Sequence, residues 1–127
     1  MIICSLGYGY LAKFLFNDLC SLGILGIGVS SKKVLYKKNP YNFKSFYRNE
    51  VAEAIVFSTH LIVTAPPDHN GCPILKNYSK IMIKSNIKTV VYISTTGVYG
   101  NYNGAWGNEN TKTKALFAKD QNRIRAE

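Results

Sequence analysis

Three groups of residues have the types and spacing to do chemistry. The first is Gly7-Tyr8-Gly9-Tyr10-Leu11-Ala12, with glycine at its first and third positions and a small residue at its sixth. The first glycine suits a tight turn, the second lets backbone approach a pyrophosphate, and the small Ala12 lets the next helix pack closely with its N-terminus toward the phosphates. A turn between a strand and a helix also favours glycine for steric reasons alone, so context decides. The second group is Ser30-Ser31-Lys32-Lys33. A dinucleotide site ordinarily carries Asp or Glu there for the ribose 2′-hydroxyl, yet the chain has no carboxylate between Asp18 and Glu50. Hydroxyls and cations suit a 2′-phosphate instead. The third is Ser94-Thr95-Thr96-Gly97-Val98-Tyr99-Gly100, where hydroxyls cluster at a strand end.

The elements that must position these groups are legible from periodicity. An apolar run over 2 to 6 ends at Gly7, and positions 11, 14, 15, 18, 19 and 22 then form one stripe of a helix, mostly Leu and Phe, which Gly23 closes. Ile24 to Val29 reads as a second buried strand. The pattern fades from Ser30 to Asn49, with a short strand expected around Phe43 to Phe46. Glu50 to Phe57 has helical spacing, and His60 to Thr64 is a strand stopped by Ala65-Pro66-Pro67. Pro73 suits the first turn of a helix whose apolar face is Ile74, Leu75, Tyr78, Ile81 and Met82. Thr89 to Ser94 is a fifth strand, Gly100 to Lys114 a polar loop, and Ala115 to Glu127 a final helix.

Strands that alternate with helices, each strand a near-continuous apolar run, argue for an α/β fold: a Rossmann-like doubly wound parallel sheet covered on both faces, in the order 3-2-1-4-5. Over 1–127 the expectation is one NAD(P)-binding domain that stops after the fifth strand and its following helix, with no C-terminal substrate region and the fifth strand at an open edge.

The composition narrows the partners. Sixteen Lys and Arg against seven Asp and Glu give a net charge of +9, but the cations are scattered in pairs and at spaced helical positions, the pattern of a solvated surface rather than a nucleic-acid or membrane patch. No apolar run reaches membrane-spanning length and no signal peptide opens the chain, so the expected location is cytoplasmic. Cys4, Cys20 and Cys72 lack metal-ligand spacing and read as reduced thiols; His60 and His69 have no companions that would make a metal site.

The sequence resembles the extended and atypical short-chain dehydrogenase/reductase superfamily, the NAD(P)-dependent epimerase/dehydratase group. The residues that carry the resemblance are Ser94-Thr95-Thr96-Gly97-Val98-Tyr99-Gly100 followed by Gly104-Ala105-Trp106, together with Ala65-Pro66-Pro67-Asp68 and Gly71-Cys72-Pro73-Ile74-Leu75. It implies that Thr95 hydrogen-bonds a substrate oxygen. The family's Tyr-x-x-x-Lys pair is absent: aligned on the last helix, Lys119 stands at the Tyr position and Arg123 at the Lys position. Lys119 cannot replace a phenol directly, and both residues also read as surface cations. Trp106 either covers a ligand or packs its loop down.

The expected cofactor is therefore NADP or NAD, with NADP favoured. Gly7, Gly9, Tyr10 and Leu11 would lie at the pyrophosphate, Ser30 and Lys32 near the adenosine ribose, Ala65 and Pro66 on the nicotinamide side, and Thr95 toward both cofactor and substrate. Cofactor binding stands ahead of catalysis as the expectation. Three other readings stay open at this point: a truncated or degenerate protein that keeps the fold without activity; one chain of a split reductase, or a homo-oligomer, completed by another chain; and a basic Rossmann module for nucleic acid or a regulatory partner.

Overall fold

The apolar run after Met1 forms β1 (Ile2–Leu6), and Gly7 turns the chain into α1 (Tyr10–Ser21). The computed structural model describes residues 1–31 and 43–127, so Lys32 and Lys33 lie outside the described residues. Gly23, at φ +76°, ends the helix, and β2 (Leu25–Ser30) follows. After β3 (Phe43–Tyr47) and a short 3-10 turn comes α2 (Val51–Val56), then β4 (His60–Val63), α3 (Pro73–Lys84), β5 (Thr89–Tyr92), a 3-10 turn over Thr96–Tyr99 and α4 (Ala118–Ala126). The five strands make one sheet in the order β3-β2-β1-β4-β5, every pair parallel. This is the α/β, Rossmann-like order that the alternation of strands and helices predicts.

Side-chain alternation along the strands sends residues to two separate cores. Cys4, Leu6, Ile27, Val29, Leu61 and Val63 pack with α2 and with Met82 of α3, while Ile3 packs with Ala12 and Phe16 of α1 and with Phe43. Helices therefore cover both faces of the central strands, as a parallel sheet requires. The apolar stripe of α3 faces the core as its spacing predicts, with Met82 buried and Ile74, Leu75, Tyr78 and Ile81 partly buried against it.

Three local expectations need correction. The stripe of α1 is rotated from the one read off the sequence: Leu15 and Leu19 do pack against the core, but Ala12 and Phe16 are its buried residues and Leu11, Phe14 and Leu22 are exposed. The helix is apolar on more than one side, and what sets its phase is a hole in the sheet. A Cβ on Gly26 would lie 2.4 Å from the Phe16 ring, so the glycine makes room for that ring and no other position along α1 supplies it. Cover on both faces also fails at β5, where Val90 and Val91 are exposed and only Tyr92 is half-buried. The last helix begins at Ala118 rather than Ala115. Lys114 N–H donates to Val98 O at 2.9 Å, tying the chain there to the turn after β5 instead of to a helix.

Cys4 sits fully buried in β1, and burial pushes its thiol from 9.0 up to about 12. The folded-state value lies above the unfolded one, so the neutral thiol's contribution is complete below pH 9 and is lost as pH rises toward 12. Stability should fall above pH 9 by up to roughly 1.4 kcal/mol per pH unit from this group. Urea unfolding at pH 8, 9 and about 10.5 measures the slope, and Cys4→Val should flatten it. Equal slopes for the two proteins would show that Cys4 ionisation is not coupled to folding.

Candidate functional site

The turn after β1 is tied to the strands on either side of it. Gly7 N–H and Tyr8 N–H both donate to Val29 O, at 3.2 and 2.8 Å, and Ala65 N–H donates to Leu6 O at 3.0 Å. Ser5 Oγ donates to Gly7 O at 3.1 Å and Thr64 Oγ1 donates to the same carbonyl. The C-terminal ends of β1, β2 and β4 thereby meet at one place. Gly7 has φ +106°, and a Cβ there would lie 2.6 Å from Ala65 N, so both conformation and packing demand glycine. Tyr8 turns inward, with its ring 5.7 Å from that of Phe16 and 5.0 Å from that of Phe43, above the space left by Gly28.

Gly9 differs. Its backbone is extended, at φ −98° and ψ −158°, and a Cβ there would meet nothing within 4 Å. Neither conformation nor packing within the protein calls for glycine at this position. It is the N-cap of α1, whose first turn has no side-chain cap and no acidic residue. The N–H groups of Tyr10, Leu11 and Ala12 have no acceptor inside the helix, and with the helix dipole they make a positive end.

A cleft of about 480 Å³ opens in front of this turn. Of the residues assigned to a cofactor from sequence, Gly7, Gly9, Ser30, Ala65 and Pro66 line it. Tyr10 and Leu11 are not among its lining residues; their side chains are exposed and only their backbone joins the helix end. Thr95 is not in the lining either, and Lys32 lies outside the described residues. The lining also includes Tyr8, Ser31, Thr64 and Ile74, and it includes Arg48, which sequence reasoning missed. Arg48 is remote from the glycine turn in sequence, and only the pairing of Ser30 with Tyr47 in the β2–β3 register shows that it stands beside the end of β2. Among the described residues, none in the lining is a carboxylate. Glu50, nearby in sequence, turns back instead: its Oε2 accepts from Tyr47 N–H at 2.6 Å.

The third group sits at the end of β5. Thr95 caps the 3-10 turn, its Oγ1 accepting from Gly97 N–H at 3.3 Å. Arg123 Nη1 donates to Tyr92 Oη and to Ile93 O, each at 3.0 Å, and the guanidinium stacks 5.4 Å from the Tyr92 ring. Burial raises the Tyr92 phenol, and Arg123 pulls it the other way. Ser94 Oγ donates to Glu127, and buried Asp120 packs against Gly97, where a Cβ would lie 2.4 Å from its carboxylate. Lys119 is exposed, with its ammonium 5.9 Å from the Phe117 ring. The fold thus brings Arg123 onto the strand that leads into Thr95 and leaves Lys119 over the aromatic at the N-cap of its own helix. Trp106 is fully exposed and packs its loop against nothing. Among the described residues no group of three or more His, Cys, Asp or Glu is arranged to hold a metal ion, and no helix is long and apolar enough to cross a membrane.

A parallel 3-2-1-4-5 sheet with a glycine turn and a cleft at the strand ends defines a Rossmann-type α/β protein, the fold of the short-chain dehydrogenase/reductase and NAD-dependent epimerase/dehydratase structures. Among solved structures, the chain is similar to a functionally unknown conserved protein from Silicibacter pomeroyi, with a TM-score of 0.84 and 27% identity over 98% of this chain and 45% of that one. It is also similar to a UDP-galactose 4-epimerase (TM-score 0.75, 17% identity, 98% and 48% of the two chains). A third match is a short-chain dehydrogenase/reductase superfamily protein from Agrobacterium tumefaciens with bound NAD (TM-score 0.72, 10% identity, 98% and 42%). The chain spans less than half the length of each. No family model and no curated protein matches it.

Proposed function

We propose that this protein binds a nicotinamide dinucleotide in the cleft at the ends of β1, β2 and β4, taking NADP in preference to NAD. The observation that carries the reading is Gly9: the protein has no internal need for a glycine there, and the missing side chain opens onto an uncapped helix end. A pyrophosphate against that end would accept from the first-turn N–H groups of Tyr10 and Leu11. Ser30 and Lys32 would lie near the adenosine ribose and Ala65 and Pro66 beside the nicotinamide. The preference for NADP rests on the absence of a carboxylate from the described lining and from the sequence between Asp18 and Glu50. Structures with this fold include one solved with bound NAD, which supports a dinucleotide as the ligand class.

A bound nicotinamide supplies hydride transfer, the chemistry of an oxidoreductase or epimerase. This chain's own residues contribute binding more fully than proton transfer. Thr95 would hydrogen-bond a substrate oxygen, but Arg123 is engaged with Tyr92 and Ile93, and Lys119 stands where a phenol is needed. The activity proposed is accordingly cofactor binding without efficient turnover by this chain alone. A second reading is favoured by β5: its open edge and exposed Val90 and Val91 suit another polypeptide that completes the sheet, as in a split reductase or a pairing of copies.

Titration of NADPH and NADH into the folded protein, by calorimetry or nucleotide fluorescence, tests the proposal. Saturable binding of both, tighter for NADPH, is expected. Binding of neither to protein with native circular dichroism would overturn it. Affinity for duplex DNA or RNA that falls steeply with salt, without dinucleotide binding, would favour the nucleic-acid reading instead.

A further inference from the structure

We infer that Arg48 reads the adenosine end of the cleft by binding a phosphate monoester on the ribose; the inference rests on the dinucleotide reading above and names the residue that sets its specificity. The β2–β3 register pairs Ser30 with Tyr47, the last residues of the two strands, so Ser31 and Arg48 leave the sheet from the same end of adjacent strands, and both line the cleft. Arg48 occupies the first position of the 3-10 turn over Arg48–Glu50. That turn is held by the bond from Tyr47 N–H to Glu50 Oε2 at 2.6 Å, and it leads directly into Val51, another lining residue. The backbone that carries the guanidinium is therefore fixed relative to the cleft.

The electrostatics point the same way. The carboxylate of Glu50 is committed to the cap, and none of the described lining residues is acidic. Arg48 is exposed and forms no ion pair or side-chain hydrogen bond among the described residues. A ribose diol is best held by an acceptor that takes both hydroxyl protons; a guanidinium offers only donors. Those donors match a phosphate monoester, which they can engage in bidentate fashion, with the Ser31 hydroxyl alongside as a further donor. The cleft is built to reward a phosphorylated ribose, and among the described residues its lining holds no carboxylate to take both hydroxyl protons of an unmodified one.

The test uses fragments that differ only in that phosphate. Adenosine 2′,5′-bisphosphate and 5′-AMP are titrated into wild-type protein, Arg48→Gln, Arg48→Lys and, as a charge control outside the cleft lining, Arg125→Gln in α4, whose guanidinium donates to Asn122 Oδ1. Wild type should bind the bisphosphate about tenfold or more tighter than AMP. Arg48→Gln should bring the two within about threefold while leaving AMP affinity in place, Arg48→Lys should keep part of the preference, and Arg125→Gln should keep all of it. Loss of affinity for both fragments alike in Arg48→Gln, or an undiminished preference, overturns the assignment while the dinucleotide reading stands. Failure of wild type to bind NADPH, NADH or either fragment overturns both.

Discussion

Gly9→Asp should abolish dinucleotide binding while leaving the fold intact. The new carboxylate would replace open space at the N-cap of α1, where no atom of the protein lies within 4 Å of the Cβ position. Asp is itself a favourable N-cap, so the helix should hold its stability or gain a little. A phosphate brought to the same place meets a like charge and finds one or more of its N–H donors already bonded. At a few ångströms and an effective dielectric near 20, the repulsion is on the order of 2–4 kcal/mol, about 30- to 1000-fold in affinity. Calorimetric titration beside a thermal melt separates the two effects. Gly7→Ala should behave in the opposite way, lowering the melting temperature because φ +106° and the 2.6 Å approach to Ala65 N leave no room for a methyl group. Equal loss of stability in both variants would reduce the glycine turn to a folding device and remove the main support for a bound cofactor.

The largest effect on stability is expected from Phe16→Ala. Phe16 is 1% exposed at the centre of the core on the α1 side, with ring contacts to Tyr8 at 5.7 Å and to Phe43 at 5.8 Å. It also fills the space over Gly26, whose backbone cannot move to close a cavity without breaking its pairing with Ile3 and Phe43. Truncation should cost about 3–5 kcal/mol, a large part of the stability of a domain this size. Chemical denaturation measures it, and Phe14→Ala on the exposed side of the same helix should cost under about 1 kcal/mol. Comparable losses would mean that α1 packs on the face read from its Leu and Phe spacing and that the rotated phase is wrong. Because Tyr8 shares this core and lines the cleft, Phe16→Ala should also weaken cofactor binding through the turn.

The strand and helix order, the parallel sheet and the glycine turn were all legible in the chain, because each depends on local signals: apolar runs, a helical period, glycine and proline at the element ends. The face of α3 was legible for the same reason, since its stripe is the helix's only apolar side. The face of α1 was not. Leu11 and Phe14 are as apolar as the Phe16 that packs into the core with Ala12, Leu15 and Leu19, and the choice between those faces was made by Gly26 in another element. The cleft divides in the same way. Gly7, Gly9 and Ser30 were visible because a glycine pattern and a strand end announce them. Arg48 was invisible because it comes after β3, in a stretch of faded periodicity, and reaches the cleft only through strand pairing.

The amino-acid order alone determined a doubly wound α/β chain with a glycine turn after its first strand and no acid between Asp18 and Glu50, since these follow from residue type and short-range spacing. Only the tertiary structure decided which glycine serves the fold and which leaves room for a ligand. It also decided that Arg123 is bound to the end of β5 and that Arg48 joins Ser31 at the cleft. Those are relations between elements distant in the chain, set by strand register and by which side chains fit the holes left by others, and no local pattern encodes them.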